Sequence, residues 1–200
     1  MIVMIDYGAG NIHSVAKAFE TLGADIKISD NPVDLAKADK IVLPGVGAFG
    51  QAADALHKKK LVKAIWEEVD KGKPFFGICI GFHVLLEEGE EDPGHRGIEL
   101  IKGVVPRFRV QNLKVPHLGW NQVAQVKDSP IWKDIPDGSF FYFAHSYHVQ
   151  PVDESIAIGR TDYGIDVISA IQRDNIFGIQ FHPEKSQKWG LKVLKNFIDL

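Results

Sequence analysis

Cysteine is almost absent from this chain: among 200 residues only Cys79 carries a thiol. A single thiol excludes an internal disulfide framework and any metal site built on several thiolates. A surplus of either charge is also missing, since 23 Lys and Arg face 26 Asp and Glu, a formal net charge of −3. No basic excess is available for nucleic acid, and the short run Lys58-Lys59-Lys60 reads as a solvated helix end. No apolar run approaches bilayer-spanning length, and Met1 to Asp6 has neither a basic flank nor a long apolar core. The expected compartment is the cytoplasm, with no membrane partner, no metal and no cofactor.

What is present is enough apolar content, 45% of residues, to bury one core of ordinary size, and residues 1–200 read as one domain. Short branched apolar runs alternate with helical patterns through the first half. Met1 to Ile5 precedes the loop Asp6-Tyr7-Gly8-Ala9-Gly10-Asn11 and a helix carrying Val15, Ala18, Phe19 and Leu22. Ile26 to Ile28 precedes a helix after Pro32. Ile41 to Leu43 precedes Pro44-Gly45-Val46-Gly47 and helical stretches from Gln51 to Val69, and Pro74 to Ile78 precedes Cys79. Such alternation predicts an α/β fold with a central, mainly parallel sheet flanked by helices and ligands beyond the C-terminal strand ends. After Gly94 the pattern is strand-rich: Val104 to Val110, Trp120 to Val126, Phe140 to Ala144, Ile156 to Arg160, Val167 to Gln172 and Ile176 to Phe181. Additional antiparallel strands are expected there, closed by an amphipathic helix from Gln187 to Ile198.

Cys79 lies in Gly77-Ile78-Cys79-Ile80-Gly81, between an apolar strand and the helical pattern from Phe82 to Glu88. A strand that turns sharply into a helix through flanking glycines exposes its central residue on a strained corner. A sulfur at a helix N-terminus is also favoured as thiolate. The other reading is a small, buried core cysteine. Downstream, Phe177 to Phe181 ends at His182-Pro183-Glu184. In extended chain a histidine and a carboxylate two positions apart point the same way, and Pro183 biases His182 toward that geometry. Nucleophile, base and orienting carboxylate are the parts that covalent catalysis needs. The alternative makes Glu184 the acidic start of the last helix.

Gly45, Val46 and Gly47 follow a strand and can present N–H groups to an oxyanion, with Ile80 supplying a second donor. Gly8-Ala9-Gly10 is not a dinucleotide fingerprint, because the third glycine's place is taken by His13. His145 and His148, three apart near a strand end, are expected on opposite faces, which disfavours a metal site. The turn Pro116-His117-Leu118-Gly119-Trp120-Asn121 reads either as a partner surface or, by composition, as a buried tryptophan opening a strand.

Taken together, Pro44 to Gly47, Gly77 to Gly81, Pro116 to Asn121, His145-Ser146-Tyr147 and Phe181 to Ser186 resemble the class I glutamine amidotransferases, which have a flavodoxin-like fold. The likeness covers nearly the whole chain in order. It implies that Cys79 attacks the side-chain amide of glutamine, that His182 moves protons to the departing ammonia, and that Glu184 orients His182. It also implies oxyanion donors at Gly45, Val46, Gly47 and Ile80, and glutamine contacts from Gly47, His83, His145, Ser146 and Tyr147. Within the family the chain is most similar to members that serve a separate (β/α)8-barrel cyclase subunit in histidine biosynthesis. That likeness directs Asn11, Pro116, His117, Trp120, Asn121 and Lys185 toward the partner. Activity in such members is low until the partner binds, and the Gly45-Val46-Gly47 loop, by turning a peptide, is the expected switch. One position departs from the family pattern, which places a glutamine where this chain has His83. The rival readings are a glutaminase for another synthase, a related cysteine hydrolase, and a regulatory subunit silenced by His83.

Overall fold

The computed structural model describes residues 1–8 and 10–200; Ala9, within the glycine loop considered above, lies outside the described residues. The first half follows the expected alternation: β1 (Ile2–Ile5), α1 (Ile12–Thr21), β2 (Ile26–Ser29), α2 (Pro32–Lys37), β3 (Lys40–Leu43), α3 (Phe49–Lys58), α4 (Leu61–Asp70), β4 (Phe75–Ile78) and α5 (Ile80–His83). The second half supplies β5 (Glu88–Gly89), β6 (Gly103–Val105), β7 (His117–Gln125), β8 (Ser139–His145), β9 (Gln150–Pro151), β10 (Ala157–Asp162), β11 (Asp166–Arg173), β12 (Ile176–Ile179) and α6 (Gln187–Ile198).

One sheet of nine strands runs β2-β1-β3-β4-β12-β11-β10-β7-β8. The first five are parallel and the last four join antiparallel. Alternation along each strand divides the core between the two faces. Val3 and Ile5 pack with Leu56, Leu61 and Ile65 of α3 and α4, whereas Ile2 and Met4 pack with Val15, Phe19 and Phe197 of α1 and α6. Strands buried on both sides must be apolar throughout, and β1 and β4 are. A separate small sheet joins β5, β6 and β9.

Two expectations are corrected. The helix read from Phe82 to Glu88 is a single turn, because Val84, Leu85 and Leu86 are completely buried and the backbone there turns to bond Ile98 and Ile101. The strand read from Val104 to Val110 ends at Val105, before Pro106, which has no N–H to extend a ladder. The expected helical stretches from Gln51 to Val69 are the two helices α3 and α4, parted at Lys59 and Lys60, where Lys60 takes a left-handed conformation. The lysine run is thus the helix end that the sequence predicts.

Candidate active site

Four loops converge at the C-terminal edge of the parallel strands, those after β1, β3, β4 and β12. Cys79 occupies the corner between β4 and α5 with φ 55° and ψ −110°, a conformation that L residues rarely adopt. Its flanking glycines are required by contact. A Cβ on Gly81 would lie 1.7 Å from the Leu43 carbonyl oxygen, and one on Gly77 would lie 2.6 Å from that of Gly81. The Cys79 N–H donates to the Ile179 carbonyl at 2.9 Å, so the corner is fastened to the end of β12.

That bond brings His182 to the cysteine. The His182 N–H donates to the Tyr142 carbonyl on β8 at 2.8 Å, while the Ser186 hydroxyl donates to the His182 carbonyl at 2.6 Å. The imidazole Nδ1 lies 3.1 Å from Glu184 Oε1, with both side chains 3% exposed. Glu184 reaches it from a tight turn, Pro183–Lys185, and not from the extended segment that i, i+2 alternation implies. With Nδ1 committed to Glu184, Nε2 is the nitrogen available to Cys79. Burial alone would lower the His182 pKa, but hydrogen bonding and charge from Cys79 and Glu184 outweigh it and raise the value to about 10. Burial would likewise raise Glu184, yet hydrogen bonds from His182 and Asn11 hold it below the ordinary carboxylate value. The trio is therefore a protonated imidazole between a sulfur and a carboxylate.

A cavity of about 330 Å³ opens over the sulfur. Val46, Gly47, Ile80, His83, His145, Ser146 and Tyr147 line it beside Cys79 and His182, so the structure gathers these expected residues into one place. Gly47 has φ 115°, open to glycine alone without strain. Gly45 is the exception among the expected oxyanion donors: it does not line the cavity and packs against the Tyr7 ring. His83 is buried, and its Nε2–H donates to Gln180 Oε1 at 2.7 Å while Nδ1 has no partner among the described residues. Burial, the largest effect, pulls its pKa down to about 4, so the ring is neutral.

The expected partner residues divide. Pro116, Trp120 and Lys185 are exposed, with Trp120 46% accessible, which overturns the buried-tryptophan reading. His117 is buried instead, stacked between Phe143 and Tyr163, because it faces inward on β7. Asn121 turns its amide to the Asp162 carbonyl at 2.9 Å, and Asn11 donates to Glu184 Oε1 at 2.7 Å. His145 and His148 do not part to opposite sides as alternation implies: both rings lie about 5 Å from Phe108, since the strand ends at His145.

Sequence reasoning also missed some residues that shape the site. Glu91, Leu118 and Ala144 line the cavity, and Glu91 accepts from the Phe49 N–H at 2.8 Å. No local spacing signals Glu91. Leu118 and Ala144 face each other across β7 and β8 and were findable only with that register.

A strained cysteine corner beside a histidine and a buried carboxylate, at the C-terminal edge of this doubly covered sheet, is an arrangement suited to cysteine-dependent acyl transfer or hydrolysis. The model of the class-I glutamine amidotransferases matches residues 3–200, and the chain belongs to that family. Its relatives include the imidazole glycerol phosphate synthase subunit HisH of Methanocaldococcus jannaschii, 48% identical over 200 residues with both chains wholly covered. The HisH subunit of Syntrophotalea carbinolica is 46% identical over 206 residues, again covering both chains. That of Aquifex aeolicus is 47% identical over 196 residues, covering 98% of this chain and 94% of its own. Among solved structures, a glutamine amidotransferase superposes with TM-score 0.79 at 15% identity and full coverage of both chains. PurLQS from Thermotoga maritima gives TM-score 0.75 at 20% identity over 99% of this chain and 97% of that one. These two likenesses speak for the fold.

Proposed function

We propose that this chain is the glutaminase subunit of an imidazole glycerol phosphate synthase, hydrolysing glutamine to glutamate and delivering ammonia to a partner cyclase in histidine biosynthesis. The observation that carries the chemistry is the Cys79, His182 and Glu184 constellation, whose cysteine and histidine line a cavity sized for a small amino acid. Cys79 sulfur attacks the γ-amide carbon and forms a C–S bond. The tetrahedral oxyanion is received by N–H groups of the Val46-Gly47 segment and Ile80. His182 gives its proton to the amide nitrogen, the C–N bond breaks and ammonia leaves. Water, deprotonated by the now neutral His182, then cleaves the thioester, releasing glutamate and the Cys79 sulfur beside a once more protonated imidazole, while the acid's proton passes to ammonia. Glu184 keeps the imidazole oriented throughout.

The partner is proposed to be a (β/α)8 barrel. Leu118, Trp120 and Phe140 form an exposed apolar strip beside the cavity mouth, and Lys185 lies over the Tyr142 ring within the same face. A strip of this kind fits an interface through which ammonia passes without meeting bulk water. No helix among the described residues is long and apolar enough to cross a membrane, and the cytoplasm is proposed as the compartment. Glutamate release should be measured for the chain alone and with the cyclase subunit carrying its acceptor ligand. Release that requires the cyclase and disappears in Cys79→Ala supports the reading; equal release by the chain alone favours an independent hydrolase.

A further inference from the structure

Behind the oxyanion loop sits a phenol that the chemistry above does not use. Tyr7 is 7% exposed, and its hydroxyl has no hydrogen-bond partner among the described residues. A buried hydroxyl left unpaired is costly, so its position calls for a function or a partner formed in another state. It presses on the loop: a Cβ placed on Gly45 would fall 1.7 Å from Tyr7 Oη. Burial, with the charges of Cys79 and Asp6, pushes the phenol well above its ordinary pKa, so the hydroxyl keeps its proton and can donate.

Val46 lines two cavities at once. One is the cavity with Cys79; the other, of about 200 Å³, includes Tyr7 and Gln51, the latter exposed. Val46 is the residue that the two cavities share. Among the described residues, no N–H of Gly45, Val46 or Gly47 is bonded to an acceptor. In a planar trans peptide the N–H and C=O point in opposite directions, so an N–H aimed forward at an oxyanion sends its carbonyl rearward.

We propose that Tyr7 is a positioning residue for the oxyanion loop, its hydroxyl donating to the carbonyl that turns rearward when the loop N–H turns toward the tetrahedral intermediate. This rests on the glutaminase reading. Tyr7 touches no reacting atom; it acts by holding the donor peptide in its productive orientation.

The test compares Tyr7→Phe with the unaltered chain, both in complex with the cyclase subunit. The readouts are kcat and KM for glutamate release, affinity for the γ-aldehyde analogue of glutamine, and the rate of Cys79 alkylation by iodoacetamide. The aldehyde adds Cys79 sulfur across its carbonyl as a tetrahedral hemithioacetal and so reports the oxyanion site directly. The expected result is a roughly tenfold fall in both kcat and aldehyde affinity, with KM and alkylation rate unchanged and the thermal midpoint no lower. A competent unaltered complex whose kcat and aldehyde affinity survive Tyr7→Phe overturns this proposal alone, as does a loss shared equally by alkylation. An unaltered complex that neither releases glutamate nor binds the aldehyde overturns the glutaminase reading and the proposal with it.

Discussion

Asn11 Nδ2 donates to Glu184 Oε1 at 2.7 Å, the same oxygen that faces His182 Nδ1, although the two residues stand 173 positions apart. The first loop of the chain thereby holds the carboxylate that orients the base. Asn11 keeps a left-handed backbone, φ 68°, which asparagine tolerates better than most residues. Removing the amide in Asn11→Ala should lower kcat about tenfold while Cys79 stays modifiable. Asn11→Asp should be more damaging, because a second carboxylate beside Glu184 raises its pKa. Steady-state glutamate release in the complex checks both.

Gly81 faces the Leu43 carbonyl at a distance that leaves no room for a methyl group. Gly81→Ala must push α5 off β3, and should cost about 3 kcal/mol or more of stability while displacing Cys79. Urea unfolding at pH 7 measures the loss. A variant as stable as the parent contradicts the packing described for the elbow.

Acid should destabilise the fold before its carboxylates titrate. Burial holds His83 and His117 at about 4, below the ordinary histidine value of 6.5, and pulls His145 in the same direction. Between pH 6.5 and 4 the unfolded chain binds protons that the native chain refuses, so stability rises with pH across that window. It is fully present above 6.5 and lost as pH falls toward 4. Unfolding midpoints recorded from pH 7 to 4 should fall steadily, and His83→Gln should flatten the slope.

His83 offers the cavity a neutral ring whose Nε2–H is spent on Gln180 and whose Nδ1 is unpaired among the described residues. A primary amide at this position donates and accepts together, as imidazole cannot. His83→Gln should lower KM for glutamine roughly fivefold with little change in kcat. An unchanged KM would show that the ring does not meet the substrate.

The strand and helix order of the first half, the glycine-flanked corner and the His182–Glu184 pair were legible because each rests on neighbouring residues. Gly77 and Gly81 announce the elbow before any tertiary contact is known. The Phe82 to Leu86 stretch misled because residues buried on every side carry no period, so helix and coil read alike. Asn11 on Glu184, Tyr7 against Gly45, and His117 Nδ1 at 3.0 Å from His145 Nε2 depend on sheet order and register. No spacing within one segment encodes them. His117 and Trp120 show the limit within one strand: three apart, they face opposite sides of β7, one into a stack of rings and the other into solvent.

Intact-mass spectrometry of the acid-quenched, turning-over complex decides whether Cys79 carries the glutamyl group. The expected result is a population of this chain heavier by one γ-glutamyl group, mapped to Cys79, released by hydroxylamine and missing in Cys79→Ser. Glutamate produced at full rate with no adduct on Cys79, or with Cys79→Ala as active as the parent, would contradict it.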